Sequence, residues 1–231
     1  MSDPRAWSRD EIAAWIDGQD WYQTIPVRDG LATPGKTRSD ERLRRLPPLD
    51  LAGRSVIDVG CNSGMYCFEA ARRGAARVVG VDLDRRRLEQ ARTLAAILGL
   101  EVELHQMDLA AAPALGQFDV VFCFAVLTEI GDLLGSLASL AALTRGTLYL
   151  ELAVVDAGGP PLGLTARRLA ARAAQTVLPD GLAALRRTKT GWSLAPTLRL
   201  IERVVGDEME VRDLGPSLRY RLLELVRRGR G

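Results

Sequence analysis

The sequence has 231 residues, enough for one α/β domain with extensions and a sizeable buried core. Its 31 basic and 29 acidic residues nearly balance, which argues against a nucleic-acid-binding protein, since such proteins usually carry a strong basic excess. The three cysteines lack metal-ligand spacing and a disulfide framework, which predicts no structural metal and no disulfides. The sequence also shows no secretion signal and no apolar run of ~20 residues, which predicts a cytoplasmic protein with no membrane partner.

Residues 1–49 are predicted to form a helical extension that lies ahead of the main domain and acts as a lid on its cofactor. The stretch Ser8–Glu11 has the spacing of a capping box, and apolar residues follow it at helical intervals. The pair Pro47–Pro48 ends this extension, because proline disfavours helical backbone in the residue before it. The main domain is therefore expected over 50–231.

The stretch V-I-D-V-G-C-N-S-G joins a buried strand to a glycine-bounded turn. Residues 55–59 are apolar and rich in β-branched side chains, as in a central parallel strand. Residues 65–73 have a helical pattern, and a glycine follows them. A strand, a tight turn and a helix in this order open a ligand site at the carboxyl edge of a doubly wound sheet.

The spacing of glycines in this turn predicts the kind of ligand. Counted from Gly60, Asn62 and Met65 occupy the positions where a dinucleotide-binding loop has its second and third glycines, so a pyrophosphate is not expected. Asp58 precedes the turn, and an acidic group favours a ligand with an ammonium group. Asp82 ends the next predicted strand about 20 residues later, as expected for a carboxylate that binds ribose hydroxyls. An amino acid joined to a ribose indicates S-adenosylmethionine.

Four motifs between residues 58 and 127 resemble those of the class I S-adenosylmethionine-dependent methyltransferases, in the same order and at ordinary spacing. They are D-V-G-C-N-S-G at 58–64, G-V-D-L-D at 80–84, Q-M-D-L at 106–109 and F-D-V-V-F-C-F-A-V-L at 118–127. Within that family, W-Y-Q-T-I at 21–25 and T-P-G at 33–35 are most similar to the subgroup that contains wobble-uridine tRNA methyltransferases and their small-molecule relatives. The resemblance implies a Rossmann-like, doubly wound, seven-stranded sheet.

The resemblance also implies a set of residues that contact the cofactor. Those in the motifs are Asp58, Gly60, Cys61, Asn62, Gly64, Asp82, Leu83, Met107, Asp108, Leu109 and Phe124. Asp108 matches the acid that accepts the adenine amino group. Tyr22 is a candidate cover for the cofactor, with simple packing onto the sheet as the alternative. Arg38, or else Lys36, is a candidate cation for the methionine carboxylate, with a solvated charge run as the alternative.

The substrate side is predicted from position alone. Thr128 and Glu129 follow the fourth predicted strand, where relatives commonly carry an aromatic residue and a histidine, so the usual base is missing and Glu129 is a candidate replacement. Glu151 is the second candidate, on the assumption that the fifth strand carries it outward toward the same crevice. Residues 158–191 are expected to form a helical lid insert over the substrate, with a helix at 165–176, and Trp192 after it is a further substrate candidate.

These features predict an enzyme of the EC 2.1.1 class that moves the methyl group of S-adenosylmethionine to an oxygen, nitrogen or carbon of a small metabolite. A tRNA wobble-uridine methyltransferase is the first alternative, although a net charge of +2 argues against RNA as the partner. A non-catalytic module that binds S-adenosylmethionine is the second alternative, because the expected histidine is absent at Glu129.

Overall fold

A computed structural model describes residues 3–37, 39–127, 130, 132–154, 183–187, 192–196, 198–217 and 220–229. It contains a seven-stranded sheet with flanking helices and the strand order β3-β2-β1-β4-β5-β9-β8. This mixed sheet confirms the predicted Rossmann-like α/β class. The chain divides into two compact units, residues 1–108 and 109–231.

The first unit alternates helices and parallel strands. Its elements are α1 (Arg9–Asp17), α2 (Ser39–Leu43), β1 (Ser55–Val59), α3 (Met65–Arg72), β2 (Arg77–Asp82), α4 (Arg85–Leu98) and β3 (Glu103–Gln106). β1 pairs with β2 and β2 with β3, all in parallel. The side chain of Asp84 caps α4 at its start, and Gly99, with a φ of 64°, ends it. The carboxyl ends of β1, β2 and β3 therefore lie along one edge of this unit, where ligands bind in open α/β sheets.

The extension ahead of β1 is packed into the first unit. The predicted capping box is confirmed, since the Ser8 hydroxyl accepts the Glu11 N–H and the Glu11 carboxylate accepts the Ser8 N–H. The ring of Trp15 lies 5.9 Å from that of Trp7 and 5.3 Å from that of Trp21. Trp21 is buried, and its indole N–H donates to the carbonyl of residue 16. This aromatic cluster fixes the extension by burial of apolar surface.

The second unit contains the rest of the sheet. Its elements are β4 (Phe118–Phe124), α5 (Leu133–Leu143), β5 (Thr144–Leu152), β6 (Ala183–Arg187), β7 (Trp192–Pro196), α6 (Leu198–Val205), β8 (Met209–Ser217) and β9 (Tyr220–Arg227). β4 and β5 are parallel, while β9 is antiparallel to both β5 and β8. Leu133, Leu137 and Leu140 on α5 are all buried, as their helical spacing predicts. Among the residues with described structure, no helix has both the length and the apolar character to cross a bilayer.

The structure describes residues 183–187 of the predicted helical lid insert at 158–191, and this part is not helical. Residues 183–187 form β6, which pairs antiparallel with β7 as a separate two-stranded sheet. The connection between these strands has four residues and contains Gly191, which is a hairpin signal that the helical interpretation overlooked. The helix predicted at 165–176 lies outside the described residues.

Candidate cofactor site

The turn between β1 and α3 is held in a conformation that favours glycine. Gly60, Asn62 and Gly64 have φ values of 74°, 52° and 93°. The N–H groups of Gly60 and Cys61 donate to the carbonyl of Val81 at 2.8 and 3.0 Å. A Cβ on Gly64 would lie 2.7 Å from the Phe68 ring. The turn is therefore tightly closed against β2 and packed against Phe68, and a side chain at position 64 would not fit.

Asp82 is the carboxylate at the end of β2, as predicted. One of its oxygens accepts the Asn62 N–H at 2.8 Å, and the other accepts the Asp84 N–H at 2.9 Å. A carboxylate has about four acceptor sites, so each oxygen keeps capacity for a ligand hydroxyl. The next residue, Leu83, is 68% exposed, which gives an apolar surface beside the carboxylate. This arrangement suits a ribose joined to a flat, apolar ring.

The end of β3 lies beside the same carboxylate. The N–H of Met107 donates to the carbonyl of Asp82 at 3.2 Å. The side chain of Gln106 donates to the carbonyl of Leu83 at 3.1 Å. Asp108 follows in an exposed position at this edge. The structure therefore brings together four of the predicted contacts, at the ends of β2 and β3.

Asp58 is buried below the turn, with only 1% of its surface exposed. Burial raises the pKa of this carboxyl well above its usual range, and the charge of Asp82 raises it further, while Arg42 and a hydrogen bond from Cys67 lower it. The Cys67 thiol donates to Asp58 at 3.9 Å. Asp58 therefore tends to hold a proton, and the predicted contact with a ligand ammonium stays a prediction.

Arg42 is a buried cation that the sequence analysis missed. Only 8% of its surface is exposed, its guanidinium donates to the Tyr66 hydroxyl, and the guanidinium carbon lies 5.7 Å from the centre of the Tyr66 ring. The predicted candidates differ, because Lys36 is exposed and Arg38 lies outside the described residues.

Cys61 and Cys67 are both fully buried below the turn. A Cβ on Gly80 would lie 2.9 Å from each sulfur, so the two thiols fill the space that this glycine leaves. A hydrogen bond with Cys61 and burial raise the pKa of the Cys67 thiol. For Cys61 the same bond lowers the pKa, but burial and the nearby Asp58 and Asp82 together outweigh it and raise the pKa. Neither thiol is a poised nucleophile.

Tyr22 is 51% exposed, so its ring is presented to solvent rather than packed onto the sheet. Its carbonyl accepts the N–H groups of Lys36 and Thr37 at 3.0 and 3.1 Å. The backbone of this residue is thus fixed while its ring remains accessible. This exposure agrees with the cofactor-cover interpretation over the packing alternative, and the contact itself stays a prediction.

In the second unit, the predicted residues lie at the ends of β4 and β5. Phe124 is buried and stacks on Phe122 at 5.4 Å. Ala125 follows with a φ of 62°, unusual for alanine, and its N–H donates to the carbonyl of Glu151 at 2.8 Å. This φ marks the end of β4 at Phe124. Leu109, the first residue of this unit, is buried.

Glu151 does not extend outward into an open crevice as predicted. It has no exposed surface, and its strand is interior to the sheet, with β4 on one side, at Phe124, and β9 on the other, at Leu222. Thr128 and Glu129 lie outside the described residues, and of Trp192 only the strand backbone is described. The substrate residues therefore stay predictions.

The Rossmann-like fold and the turn between β1 and α3 are those of a small-molecule-binding α/β domain, and comparisons with known proteins indicate which family this domain resembles. Residues 56–145 match the family model described as a methyltransferase domain. In structure, the N-terminal domain of EvdMO1 with SAH bound has a TM-score of 0.67 at 17% identity, over 100% of both chains. Magnesium protoporphyrin IX methyltransferase from Synechocystis PCC 6803 with bound SAM has a TM-score of 0.54 at 21% identity, over 78% of this chain and 72% of that chain.

Two curated relatives refine the comparison. The tRNA U34 carboxymethyltransferase of Marinobacter nauticus is 37% identical over 125 residues, which cover 52% of this chain and 38% of that protein. The ubiquinone biosynthesis O-methyltransferase of Stutzerimonas stutzeri is 36% identical over 99 residues, which cover 42% of each. The chain thus spans about two fifths of the length of these relatives. The predicted resemblance to the class I methyltransferases, and to a subgroup with both tRNA and small-molecule members, is confirmed.

Proposed function

We propose that this protein is an S-adenosylmethionine-dependent methyltransferase of the EC 2.1.1 class, that it acts on a small metabolite in the cytoplasm, and that its cofactor occupies the edge formed by β1, β2 and β3. The observation that carries this proposal is the Asp82 carboxylate, held by two backbone N–H groups beside the exposed Leu83. A domain matching a methyltransferase family over residues 56–145 supports it.

The residues of the first unit suit each part of such a cofactor. Asp82 accepts the ribose hydroxyls, Leu83 and Met107 contact the adenine faces, and Asp108 accepts the adenine amino group. The turn at 60–64 lies along the methionine portion. These roles follow from the strand-end positions, the exposure of Leu83 and the spare acceptor capacity of Asp82.

Arg42 is the cation that we assign to the methionine carboxylate. Arg42 is only 8% exposed and donates to the hydroxyl of Tyr66, the second residue of α3, which places a buried guanidinium beside the helix that follows the turn. Arginine also suits a carboxylate because its planar fork matches the two oxygens. Arg38 and Tyr22 stay in the proposal as further contacts from the extension.

The bound cofactor supplies an activated methyl group, so the protein has mainly to orient the acceptor and exclude water. Orientation of this kind contributes on the order of 7–11 kcal/mol without a strong base. For an amine acceptor, orientation alone suffices. For a hydroxyl or a carbon acid, the carboxylate of Glu129 accepts the proton, while Thr128 and Trp192 contact the substrate.

A tRNA acceptor is the second candidate, and it rests on the relative from Marinobacter nauticus named as a tRNA U34 carboxymethyltransferase. The charge argues for a small molecule instead, because RNA binding draws much of its affinity from neutralised phosphates and the net charge is only +2. Incubation with a labelled methyl donor and either the small-molecule or the RNA fraction of a cell extract separates the two candidates. Label in RNA that falls steeply with added salt supports tRNA.

Titration calorimetry with S-adenosylhomocysteine tests the cofactor site before any acceptor is known. We expect Asp82→Ala to weaken binding on the order of 100-fold, since it removes two charge-assisted hydrogen bonds of about 1.5 kcal/mol each. The control is Asp17→Ala, which removes an exposed carboxylate at the end of α1 and should leave the affinity unchanged. If the wild type binds neither S-adenosylhomocysteine nor S-adenosylmethionine, the proposal is overturned.

A further inference from the structure

We infer that Gln90, on α4, is a positioning residue that couples cofactor binding to the docking of the extension at residues 19–37. The inference rests on the proposed cofactor site, with which Gln90 shares no ligand contact. Gln90 is 2% exposed, which is unusual for a glutamine, and its amide lies between the turn after β1 and the extension. Its burial places both ends of that amide in fixed hydrogen bonds.

The contacts of Gln90 connect two segments that are distant in sequence. Its Oε1 accepts the hydroxyl of Ser63 at 2.9 Å and a guanidinium N–H of Arg87 at 3.2 Å. Its Nε2 donates to the main-chain carbonyl of Asp20 at 3.0 Å. Ser63 belongs to the turn and is fully buried, while Asp20 belongs to the extension. One amide therefore holds both segments.

The extension is also joined to the turn by a second buried glutamine. Oε1 of Gln23 accepts the N–H of Met65, the first residue of α3, at 3.2 Å. The main-chain carbonyl of Gln23 accepts the hydroxyl of Thr33 at 2.7 Å, and that hydroxyl accepts the N–H of Ile25 at 2.8 Å. Residues 23–33 are thus held in register when Gln23 contacts α3. Two amides, at Gln90 and Gln23, fix the extension against the turn.

The ligand side of the turn connects to these amides through adjacent residues. Asp82 accepts the N–H of Asn62, and the Asn62 side chain accepts the N–H of Ser63 at 2.9 Å. Ser63 then contacts Gln90. A ribose held by Asp82 favours the turn geometry that presents Ser63 to Gln90, so it also favours the docked extension. Because such coupling is reciprocal, a docked extension raises the affinity for the cofactor by the same factor.

Three variants at this bridge separate the coupling from simple stability. Gln90→Met keeps the volume and removes all three hydrogen bonds. Gln90→Glu keeps the oxygens that accept from Ser63 and Arg87 but has no donor for the Asp20 carbonyl. Ser63→Ala removes only the hydroxyl of the turn and is the smallest change. Gln117→Met is the matched control, because Gln117 is exposed in the second unit and donates only to the carbonyl of residue 142.

Two measurements are made on each variant: the affinity for S-adenosylhomocysteine by calorimetry, and hydrogen exchange of the amides of residues 19–37 with and without that ligand. In the wild type we expect the ligand to increase protection of this segment. Gln90→Met should weaken binding about three- to tenfold, as expected for loss of one or two buried hydrogen bonds, and should abolish the added protection. Ser63→Ala should weaken binding and reduce the added protection, while Gln117→Met should match the wild type.

Gln90→Glu supplies the readout that a merely structural role would not change. We expect it to lose the ligand-induced protection of the extension and, because the coupling is reciprocal, to bind S-adenosylhomocysteine about as weakly as Gln90→Met although it keeps the contact with Ser63. Wild-type-like affinity and protection in folded Gln90→Met or in Ser63→Ala would overturn the inference and leave the proposed function intact. Failure of the wild type to bind S-adenosylhomocysteine would instead overturn the proposed function, and this inference with it.

Discussion

Gly35 is the position where a single methyl group should have the largest local effect on the extension. A Cβ there would lie 2.0 Å from the carbonyl carbon of Gln23, 2.2 Å from its oxygen and 2.3 Å from the nitrogen of Thr24. All three are backbone atoms, so no rotation of a side chain relieves the overlap. Gly35→Ala must therefore separate the backbone at residue 35 from the backbone at residues 23 and 24, which it crosses.

The cost follows from the contacts that this separation breaks. The carbonyl of Tyr22 accepts the N–H groups of Lys36 and Thr37 and the hydroxyl of Thr37, and the hydroxyl of Thr24 donates to the carbonyl of Gly35. At about 0.5–1.5 kcal/mol for each of these four bonds, the loss is about 2–6 kcal/mol, and the shared acceptor places it at the lower end. Overpacking of a well-filled site costs a similar amount, about 1–3 kcal/mol. We expect a loss of about 3 kcal/mol in the docking of the extension.

Limited trypsin digestion at the exposed Lys36, together with urea denaturation, measures this loss. Gly35→Ala should be cleaved in the extension at least ~100-fold faster than the wild type, since 3 kcal/mol is about a factor of 150 in the docked population. The control is Gly18→Ala, where the nearest atom to an added Cβ is at 3.5 Å and φ is −78°; it should be neutral or slightly stabilised. Equal cleavage rates for Gly35→Ala and the wild type would refute the described crossing of the two segments.

Three further predictions concern buried groups and backbone strain. The folded protein holds the pKa of Asp58 above its ordinary value of 3.8, so the ligand-free fold binds a proton that the unfolded chain releases, and stability falls as pH rises above 3.8. In urea titrations, the free energy of unfolding of Asp58→Asn should therefore rise relative to that of the wild type from pH 4 to pH 8. A difference between the two that falls with pH would contradict this. Alkylation by iodoacetamide at pH 7.5 should be more than ~100-fold slower in the native protein than in urea, because all three thiols are buried; fast native labelling would disprove their described burial. They are Cys61, Cys67 and Cys123. Ala125→Gly should be neutral or stabilising by up to about 1 kcal/mol because it relieves a φ of 62°, whereas Ala138→Gly, at an exposed site in α5, should cost about 0.5–1 kcal/mol; equal losses would argue against the strained backbone at residue 125.

The regular elements were predictable because their sequence patterns are strong. Residues 55–59 form the strand at the predicted bounds, and the helix predicted at 65–73 ends one residue earlier, at Arg72. In both cases, apolar residues repeat at the period of the element, and a glycine or a capping residue marks an end. The strand-end positions of Asp82 and Met107 followed from the same patterns, since parallel strands bring their carboxyl ends to one edge.

The missed residues depend on contacts between distant parts of the chain. The burial of Gln23 and Gln90 results from partners 42 and 70 residues away, at Met65 and Asp20, and no local pattern encodes such a pair. The burial of Glu151 likewise depends on packing over the face of β5, which the sequence of one strand does not encode. The burial of Arg42 depends in the same way on a partner 24 residues away, at Tyr66.

The missed residues share a physical property that makes them informative about function. Folding leaves long polar side chains exposed unless partners compensate for lost hydration, so each buried glutamine or arginine requires specific acceptors and donors. Gln23, Gln90 and Arg42 meet this requirement around the turn at 60–64, and two of them belong to the extension. A packed apolar contact would hold the extension equally well but would tolerate sliding, whereas directional hydrogen bonds fix one arrangement. The polar bridges therefore indicate that the turn and the extension have to keep a defined register, which a site that orients a cofactor requires and a merely stable fold does not.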